Sequence, residues 1–191
     1  MPLGKQAKVL TKAQVDRVLR HVETTRNPFR NRAIVLLSMK AGLRAKEIAS
    51  LKWDMVTDAD GRVGSAIHLP DSASKGRSGR IIPINVELRA ALVALAQVPS
   101  SDYVVSTQRQ KRTSAQAIVN LFFGWYRDVG MRGCSSHSGR RTFITNAARK
   151  IGSVGGSLRD VQVLAGHANL GTTQRYIEAD AEAQGRVVDM I

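Results

Sequence analysis

Six polar side chains spread along the chain have the chemical types needed for phosphoryl transfer without a metal ion. They are two guanidiniums, two imidazoles, an amine and a phenol, on Arg44, Arg140, His137, His167, Lys75 and Tyr176. Arginine forks can bind phosphate oxygens bidentately, and an imidazole can donate to an oxygen or exchange a proton near neutral pH. A tyrosine oxygen can act as a covalent nucleophile when its neighbours stabilise the anion. The sequence has no carboxylate cluster suited to Mg²⁺, so we expect cationic side chains, rather than a metal ion, to neutralise the phosphate.

The spacing of these residues adds information about where they lie. Arg44 directly follows an apolar helical run, His137 and Arg140 share one helix face at i and i+3, and His167 stands at a helix end. Taken singly, each residue also fits a structural role. These roles are a surface arginine, a solvated helix face, a capping histidine and, for Tyr176, a half-buried core residue.

The elements that must position these residues are predicted to be mostly helical. Thr11 and Gln14 form a capping box before apolar residues at i, i+3, i+4 and i+7. Pro28 opens a buried second helix that Gly42 ends, and a short third helix follows. Further helices are predicted from residue 86 to a break at Pro99, over 117–127, 138–149 and 158–165, and in a last short helix that Thr172 caps and that carries Tyr176.

Two short β-like stretches, 65–69 and 80–84, flank a polar loop that carries Lys75. They predict a small antiparallel sheet with Lys75 in its hairpin tip. The predicted fold class is therefore α+β, mainly α, in one domain.

The charge of the chain restricts its partners. It has 29 Lys and Arg against 15 Asp and Glu in 191 residues, a net charge of +14. Such a surplus favours a polyanion, usually nucleic acid and less often an acidic membrane. No apolar run approaches the roughly 18 residues that span a bilayer. Double-stranded nucleic acid is the expected partner, because aromatic residues are too few for a single-strand stacking platform.

Cysteine usage restricts the compartment and the chemistry. The single Cys134 rules out an internal disulfide and makes a cysteine-built zinc site implausible. We expect a cytoplasmic, nucleoid-associated protein with no membrane contact, no metal and no cofactor.

Two segments in the first half of the chain resemble boxes of the tyrosine recombinase (phage integrase) family. Residues 41–53, with Arg44 and Glu47, are similar to the family's first-arginine box. Residues 74–84 are similar to its β-hairpin lysine box, with Lys75 followed by Arg80 five residues later.

Two further boxes follow in family order. His137-Ser-Gly-Arg140 is similar to the His-x-x-Arg box, and residues 164–177 resemble the second-histidine box followed by the nucleophile, Tyr176. The resemblance runs from about residue 11 to about residue 177. It implies the catalytic-domain fold of tyrosine recombinases, which is mainly helical with a small sheet.

The resemblance implies a covalent mechanism. Tyr176 would attack the scissile phosphate, form a 3′-phosphotyrosyl link and free a 5′-hydroxyl, and Lys75 would protonate the leaving 5′-oxygen. The link retains the phosphodiester energy, so neither ATP nor a metal ion is implied.

The remaining site residues receive roles from the same resemblance. Arg44 and Arg140 would clamp the phosphate and its transition state, and His137 would assist proton transfer at the tyrosine. His167 would donate to a non-bridging oxygen, while Glu47 would orient the active-site side chains.

Other basic residues are expected to contact DNA, and the chain departs from the family pattern at Ser138-Gly139. This pair is smaller than the x-Leu pair usual before the second arginine, which predicts a later helix start. The expected DNA contacts are Lys46, Arg77, Arg80, Arg109, Lys111, Arg112 and Arg141.

The domain organisation is expected to be that of the short family members similar to fimbrial-switch invertases. Barely ten residues precede the first helix, so we expect a single catalytic domain over 1–191, without an N-terminal core-binding domain. Its core would span about 11–178. The tail, 179–191, ends in apolar residues that would dock on a neighbouring protomer or pack in cis, with neither favoured.

The expected function is that of a site-specific DNA recombinase or integrase, acting as a homotetramer on synapsed DNA. A monomer is one option for the free protein, and an accessory DNA-bending protein or core-binding partner is another expected contact. Two alternatives remain open at this point. One is DNA relaxation of the type IB topoisomerase kind, and the other is a catalytically silent DNA-binding regulator of the same fold.

Overall fold

The computed structural model describes residues 7–73, 79–97, 101–107, 112–176 and 187–190. These residues form helices and one two-stranded antiparallel sheet, which confirms the predicted fold class. None of the helices in these ranges is both long and apolar enough to cross a bilayer. In chain order the elements are α1 Lys12–Glu23, α2 Pro28–Lys40, α3 Ala45–Ser50, β1 Ala66–Leu69, β2 Arg80–Pro83, α4 Val86–Ala96, α5 Ala115–Asp128, α6 Ser136–Lys150, α7 Leu158–Ala165 and α8 Leu170–Gln174.

The first two helices have the predicted ends. Thr11 and Gln14 form the capping box of α1. The Thr11 backbone N–H donates to Gln14 Oε1 at 2.9 Å, and the Gln14 backbone N–H donates to Thr11 Oγ1 at 3.3 Å. Helix α2 begins at Pro28 and is buried along residues 33–37. Gly42 follows this helix with a φ of 64°, a left-handed conformation that suits glycine.

The sheet pairs β1 with β2, so that Leu69 lies opposite Arg80 and Ala66 opposite Pro83. Successive side chains of a strand point to opposite faces. On β2 this alternation buries Arg80 and Ile82 and exposes the residue between them. The hairpin tip with Lys75 and Arg77 lies outside the described residues.

Two apolar clusters hold the helices together. The larger one surrounds α2 and includes residues from α1, α3, α4, α5 and both strands. The smaller one consists of Ile144, Val161 and Ala165, with Phe143 and Tyr176 packed against it. This second cluster joins α6 and α7 to the segment that carries Tyr176, so it fixes the position of the predicted nucleophile.

The predicted late start of α6 is wrong, because the helix begins at Ser136. Ser135 and Ser138 form a capping box there, with the Ser135 N–H bonded to Ser138 Oγ at 3.1 Å. Gly139 lies where α6 meets α2, and a Cβ atom at this position would come within 2.4 Å of Ser38 Oγ. The small residue therefore permits close packing of two helices rather than delaying the helix.

The cap of α8 also differs from the prediction. Asn169 caps this helix by accepting the Thr172 N–H at 2.9 Å, because its short side chain reaches back over the first turn. Thr172 therefore lies inside the helix, and Tyr176 lies two residues beyond its end. Most of the predicted tail is outside the described residues, and Val187, Val188 and Met190 are exposed.

Candidate active site

One open cleft brings together five of the six predicted catalytic residues. It lies between the start of α3, the first turns of α6 and the segment from the end of α7 to Tyr176. Lys75 is outside the described residues. The polar residues that line the cleft are Arg44, Ser135, His137, Arg140, Arg141, His167, Thr172, Arg175 and Tyr176.

Arg44 enters the cleft from the N-terminus of α3. Gly42 ends α2 and the chain then extends, so that Arg44 becomes the residue before the first turn of α3. Its backbone N–H donates to Glu47 Oε2 at 2.8 Å, and its Nη1 donates to Glu47 Oε1 at 2.8 Å. The Glu47 carboxylate therefore holds Arg44 at both ends and aims a partly exposed guanidinium at the cleft.

Glu47 is fully buried and also binds Arg80 through both of its oxygens. Arg80 Nη1 donates to Oε1 and Nη2 donates to Oε2, both at 3.1 Å. Burial is the largest single effect on the pKa of Glu47 and raises it. The hydrogen bonds and charges of Arg80 and Arg44 outweigh that effect, so the pKa of Glu47 lies below its usual value. This carboxylate remains ionised in the interior.

Arg80, one of the predicted DNA contacts, is buried in the structure. Its side chain is 2 % exposed, because the register of β2 turns it toward the core. Besides its bonds to Glu47, Arg80 Nε donates to the backbone carbonyl of Leu164 at 2.9 Å. Gly166 makes room for this guanidinium, since a Cβ atom there would lie 2.8 Å from Arg80 Nη1.

Arg140 connects three segments from the centre of the site. Its Nη1 donates to the Gly42 carbonyl at 2.6 Å, and its Nη2 lies 2.7 Å from the Ala165 carbonyl and 3.1 Å from His167 Nε2. Burial first, and then the positive charge of Arg44, lower the pKa of Arg140 to about 10. The guanidinium is still protonated at neutral pH.

His167 is buried and neutral. A guanidinium has no acceptor, so His167 Nε2 must accept from Arg140, and Nδ1 then carries the proton and donates to Thr173 Oγ1 at 3.0 Å. Burial first, then the positive charges of Arg140, Arg44 and Arg80, lower the pKa of His167 to about 4. The imidazole therefore acts as a hydrogen-bonded support for Arg140.

Tyr176 stacks on this histidine. The two ring centroids are 5.4 Å apart at an angle of 24°, and the Arg141 guanidinium lies 5.8 Å from the tyrosine ring. The backbone N–H of Tyr176 donates to the Thr173 carbonyl at 3.0 Å, and Thr145 Oγ1 donates to the Tyr176 carbonyl at 3.3 Å. The half-buried phenol is thus anchored beside the Arg140–His167 pair.

His137 occupies the rim of the cleft. It is the second residue of α6 and is exposed, with its backbone N–H donating to Ser135 Oγ at 3.3 Å. Its side chain borders the same cleft as that of Arg140, which lies one turn later in α6. This placement leaves the imidazole accessible to a ligand and to water.

A second basic surface lies at the N-terminus of α5. Lys46 and Arg112, both exposed, border a shallow cleft there. Arg112 Nη2 donates to Ser50 Oγ at 3.1 Å, and its guanidinium lies 5.5 Å from the Tyr103 ring. Arg141 instead lines the active-site cleft, while Arg77, Arg109 and Lys111 lie outside the described residues.

Several groups in the site were missed in the sequence. Thr173 is fully buried against His167, and Arg175 lines the cleft beside Tyr176. The Gly42 and Ala165 carbonyls, which hold Arg140, give no signal because every residue type has a carbonyl. Within the described parts of the chain, no three His, Cys, Asp or Glu side chains come together as a metal site would require.

Known sequences place this chain in a family. Residues 8–183 match the phage integrase family. Tyrosine recombinase XerA of Thermococcus kodakarensis is 32% identical over 179 residues, which cover 92% of this chain and 59% of that protein. Tyrosine recombinase XerC of Herpetosiphon aurantiacus is 30% identical, over 88% of this chain and 55% of that protein. The chain thus spans under two thirds of the length of these relatives.

Solved structures show the same fold. The crystal structure of XerA recombinase superposes with a TM-score of 0.75 at 23% identity, over 95% of this chain and 64% of that one. The pre-cleavage complex of XerH site-specific recombinase with difH substrate gives a TM-score of 0.74 at 18% identity, over 98% of this chain and 55% of that one. The family match covers most of the sequence and includes all four boxes, so this chain belongs to the phage integrase family.

Proposed function

We propose that this chain is the catalytic domain of a site-specific DNA recombinase or integrase that cuts and rejoins duplex DNA through a 3′-phosphotyrosine. The observation that carries the proposal is the stack of Tyr176 on His167, whose Nε2 accepts from Arg140. A nucleophile, a neutral imidazole and a guanidinium thereby meet in one cleft. The tyrosine recombinases among its relatives support the same assignment.

The proposed reaction exchanges one ester for another. The Tyr176 oxygen attacks the phosphorus, the bond from phosphorus to the 5′-oxygen breaks, and a phosphotyrosyl bond forms. The phenolic proton passes to a base, for which the exposed His137 is the candidate, and the leaving 5′-oxygen takes a proton from Lys75. Rejoining reverses these steps, so that no nucleotide hydrolysis is needed.

The two arginines would stabilise the charge on the transferring phosphate. A guanidinium has five N–H donors, and the bonds of Arg140 to two carbonyls and to His167 use three of them. The rest can reach a phosphate oxygen from a prearranged position, and Arg44 can approach from α3. One such fixed cation contributes roughly 10²- to 10³-fold in rate.

His167 would change its bonding when the phosphate enters. In the free protein its Nε2 accepts from Arg140 and its Nδ1 is held by Thr173. Donation to a non-bridging oxygen therefore requires that Arg140 release His167 Nε2 and that a proton reach this nitrogen. Burial beside three guanidiniums opposes that protonation until the phosphate brings its negative charge.

Double-stranded DNA is the proposed partner, and Lys46, Arg112 and Arg141 are its proposed contacts. Three observations support this proposal: Lys46 and Arg112 are exposed, Arg141 lines the active-site cleft, and the chain has a net charge of +14. We also propose that the protein works on the nucleoid in the cytoplasm, and that strand exchange takes place in a homotetramer on synapsed DNA. An accessory DNA-bending protein or core-binding partner would supply contacts beyond the catalytic domain.

A nicked suicide substrate tests the proposed chemistry. Duplexes from the DNA that flanks the gene are incubated in EDTA with the unmodified protein, with Tyr176→Phe and with Tyr126→Phe, which alters a buried phenol in the core. We expect a covalent protein–DNA adduct from the unmodified protein and from Tyr126→Phe, and none from Tyr176→Phe. Adducts from all three would contradict the assigned nucleophile.

Two further outcomes separate the alternatives. Duplex binding without adduct, even with cell extract and native flanking DNA, would indicate a silent regulator. Efficient relaxation of a supercoiled plasmid that lacks any flanking site, without exchange between two sites, would indicate an enzyme of the topoisomerase kind.

A further inference from the structure

The buried Arg80 has no part in the proposed chemical steps, yet it contacts the supports of two catalytic side chains. It is the first residue of β2, and its side chain is 2 % exposed. It binds Glu47, which holds Arg44, and it binds the carbonyl of Leu164, in the last turn of the helix that leads to His167.

On the Arg44 side, Arg80 supplies half of the hydrogen bonds of a buried carboxylate. Oε1 of Glu47 accepts from Nη1 of Arg44 and Nη1 of Arg80, and Oε2 accepts from the Arg44 backbone and Nη2 of Arg80. A buried carboxylate stays charged only when it is paired in this way. Arg80 therefore keeps Glu47 ionised, and the ionised Glu47 keeps Arg44 in place.

On the His167 side, Arg80 fits the turn that ends α7. Gly166 has a φ of 60°, and its α-carbon faces the Arg80 guanidinium with no room for a side chain. The Leu164 carbonyl is one of the last in the helix, where carbonyls lack helical partners, and Arg80 Nε satisfies it. His167 follows this turn directly, so its position depends on the same guanidinium.

We propose that Arg80 is a positioning residue that sets Arg44 and His167 relative to each other, and that it makes no contact with DNA. It does so by binding Glu47 of α3 and the last turn of α7 with one rigid fork. This inference rests on the proposed function, because positioning is measured through DNA cleavage. It assigns Arg80 a positioning role, whereas the position of Arg80 near the Lys75 box predicted a DNA contact.

The first test separates positioning from DNA contact. In Arg80→Met, the duplex Kd and its salt slope are expected to stay unchanged, while adduct formation at saturating DNA slows by roughly 10- to 100-fold. Arg80→Lys keeps the charge but not the fork, and should recover part of the rate. A phosphate contact would instead weaken binding and lower the salt slope by about one, at an unchanged saturated rate. That result would overturn the proposal.

The pH dependence of the cleavage rate distinguishes a loss of positioning from a general loss of structure. The charged groups that face Glu47 in the described residues are Arg44, Arg80 and Arg140. Without Arg80, burial would raise the pKa of Glu47, so the cleavage rate of Arg80→Met should show an additional fall on the acid side that the profile of the unmodified protein lacks. The double variant Arg80→Met with Glu47→Gln removes the stranded charge and should lose this limb.

Two controls make every outcome decisive. If Arg80→Met does not fold, Arg80→Lys is compared with the unmodified protein instead, and an unchanged rate of adduct formation at saturating DNA in Arg80→Lys would overturn the proposal. If the unmodified protein forms no adduct, the proposed function fails on its own. The carboxyl ¹³C titration of Glu47 in the free protein then decides, and an unchanged pKa of Glu47 in Arg80→Met would contradict the pairing.

Discussion

Nη2 of Arg140 and Nε2 of His167 lie 3.1 Å apart, and this contact makes the imidazole an acceptor. A protonated His167 would place a second cation against the guanidinium inside the protein, where neither charge is well solvated. The pair is therefore stable only while the histidine is neutral. Several measurable consequences come from this pair and from the residues that surround it.

The buried histidine predicts a loss of stability in acid. Its pKa is about 4 in the folded protein against 6.5 for an ordinary histidine, so between these values the unfolded chain binds more protons. The free energy of unfolding should fall as the pH is lowered through this window, by about 1–3 kcal/mol from His167.

Urea unfolding at pH 7.5 and pH 4.5 measures this effect. His167→Gln, which cannot titrate, should lose less stability between the two pH values than the unmodified protein. Equal losses would show that His167 is not the group responsible.

Replacing the central guanidinium should slow catalysis. Lysine cannot bridge the Gly42 and Ala165 carbonyls and His167 from one planar group, so Arg140→Lys should reduce adduct formation by roughly 10²- to 10³-fold. Arg149→Lys makes the same exchange at an exposed position of α6 and should retain the rate. Single-turnover cleavage of the nicked duplex gives both values, and a small effect at Arg140 would contradict its place in the site.

The turn after α2 should not accept a side chain. In Gly42→Ala the new Cβ would lie 2.4 Å from Phe143 Cδ1, in addition to the strain of a φ of 64°. We expect a loss of about 2–4 kcal/mol in the free energy of unfolding, with reduced cleavage because the Gly42 carbonyl holds Arg140.

Gly61→Ala is the matched control for this prediction. Gly61 has a φ of 74° but no atom within 4 Å of an added Cβ, so only the backbone strain of about 1–2 kcal/mol remains. Chemical denaturation of both variants isolates the cost of the clash. Similar losses in the two would mean that the chain between α2 and α3 shifts to accept the methyl group.

The surface at the start of α5 should contribute to DNA affinity through charge alone. Lys46→Ala and Arg112→Ala are each expected to reduce the slope of log Kobs against log salt by about one and to leave the saturated cleavage rate unchanged. Lys46→Arg retains the charge and should retain the slope. Gel shifts from 50 to 200 mM salt provide the measurement, and unchanged slopes in both alanine variants would exclude this surface from the interface.

Helix ends were readable from the sequence because they depend on near neighbours. The Thr11–Gln14 box, Pro28 and the left-handed glycine at 42 all act through bonds or backbone angles within a few residues. The same local logic failed at α8, where Asn169 and Thr172 are both capping types three positions apart. Which of these two residues caps the helix depends on how the segment packs onto α6 and α7. This packing involves residues distant in the sequence, so the local sequence does not predict it.

The identity of the site residues came from the order of the four boxes, while their arrangement came from the tertiary structure. By type and spacing, Arg80 and Lys46 are equivalent basic residues near catalytic boxes. The pairing of β1 with β2 turns Arg80 inward to Glu47, a residue 33 positions away, whereas Lys46 points to solvent from α3. Arg140 likewise finds the Gly42 carbonyl across 98 positions. Sequence alone determined which groups can do chemistry, because that depends on side-chain type. Burial and distant partners, which set charge state and position, were decided only when the chain folded.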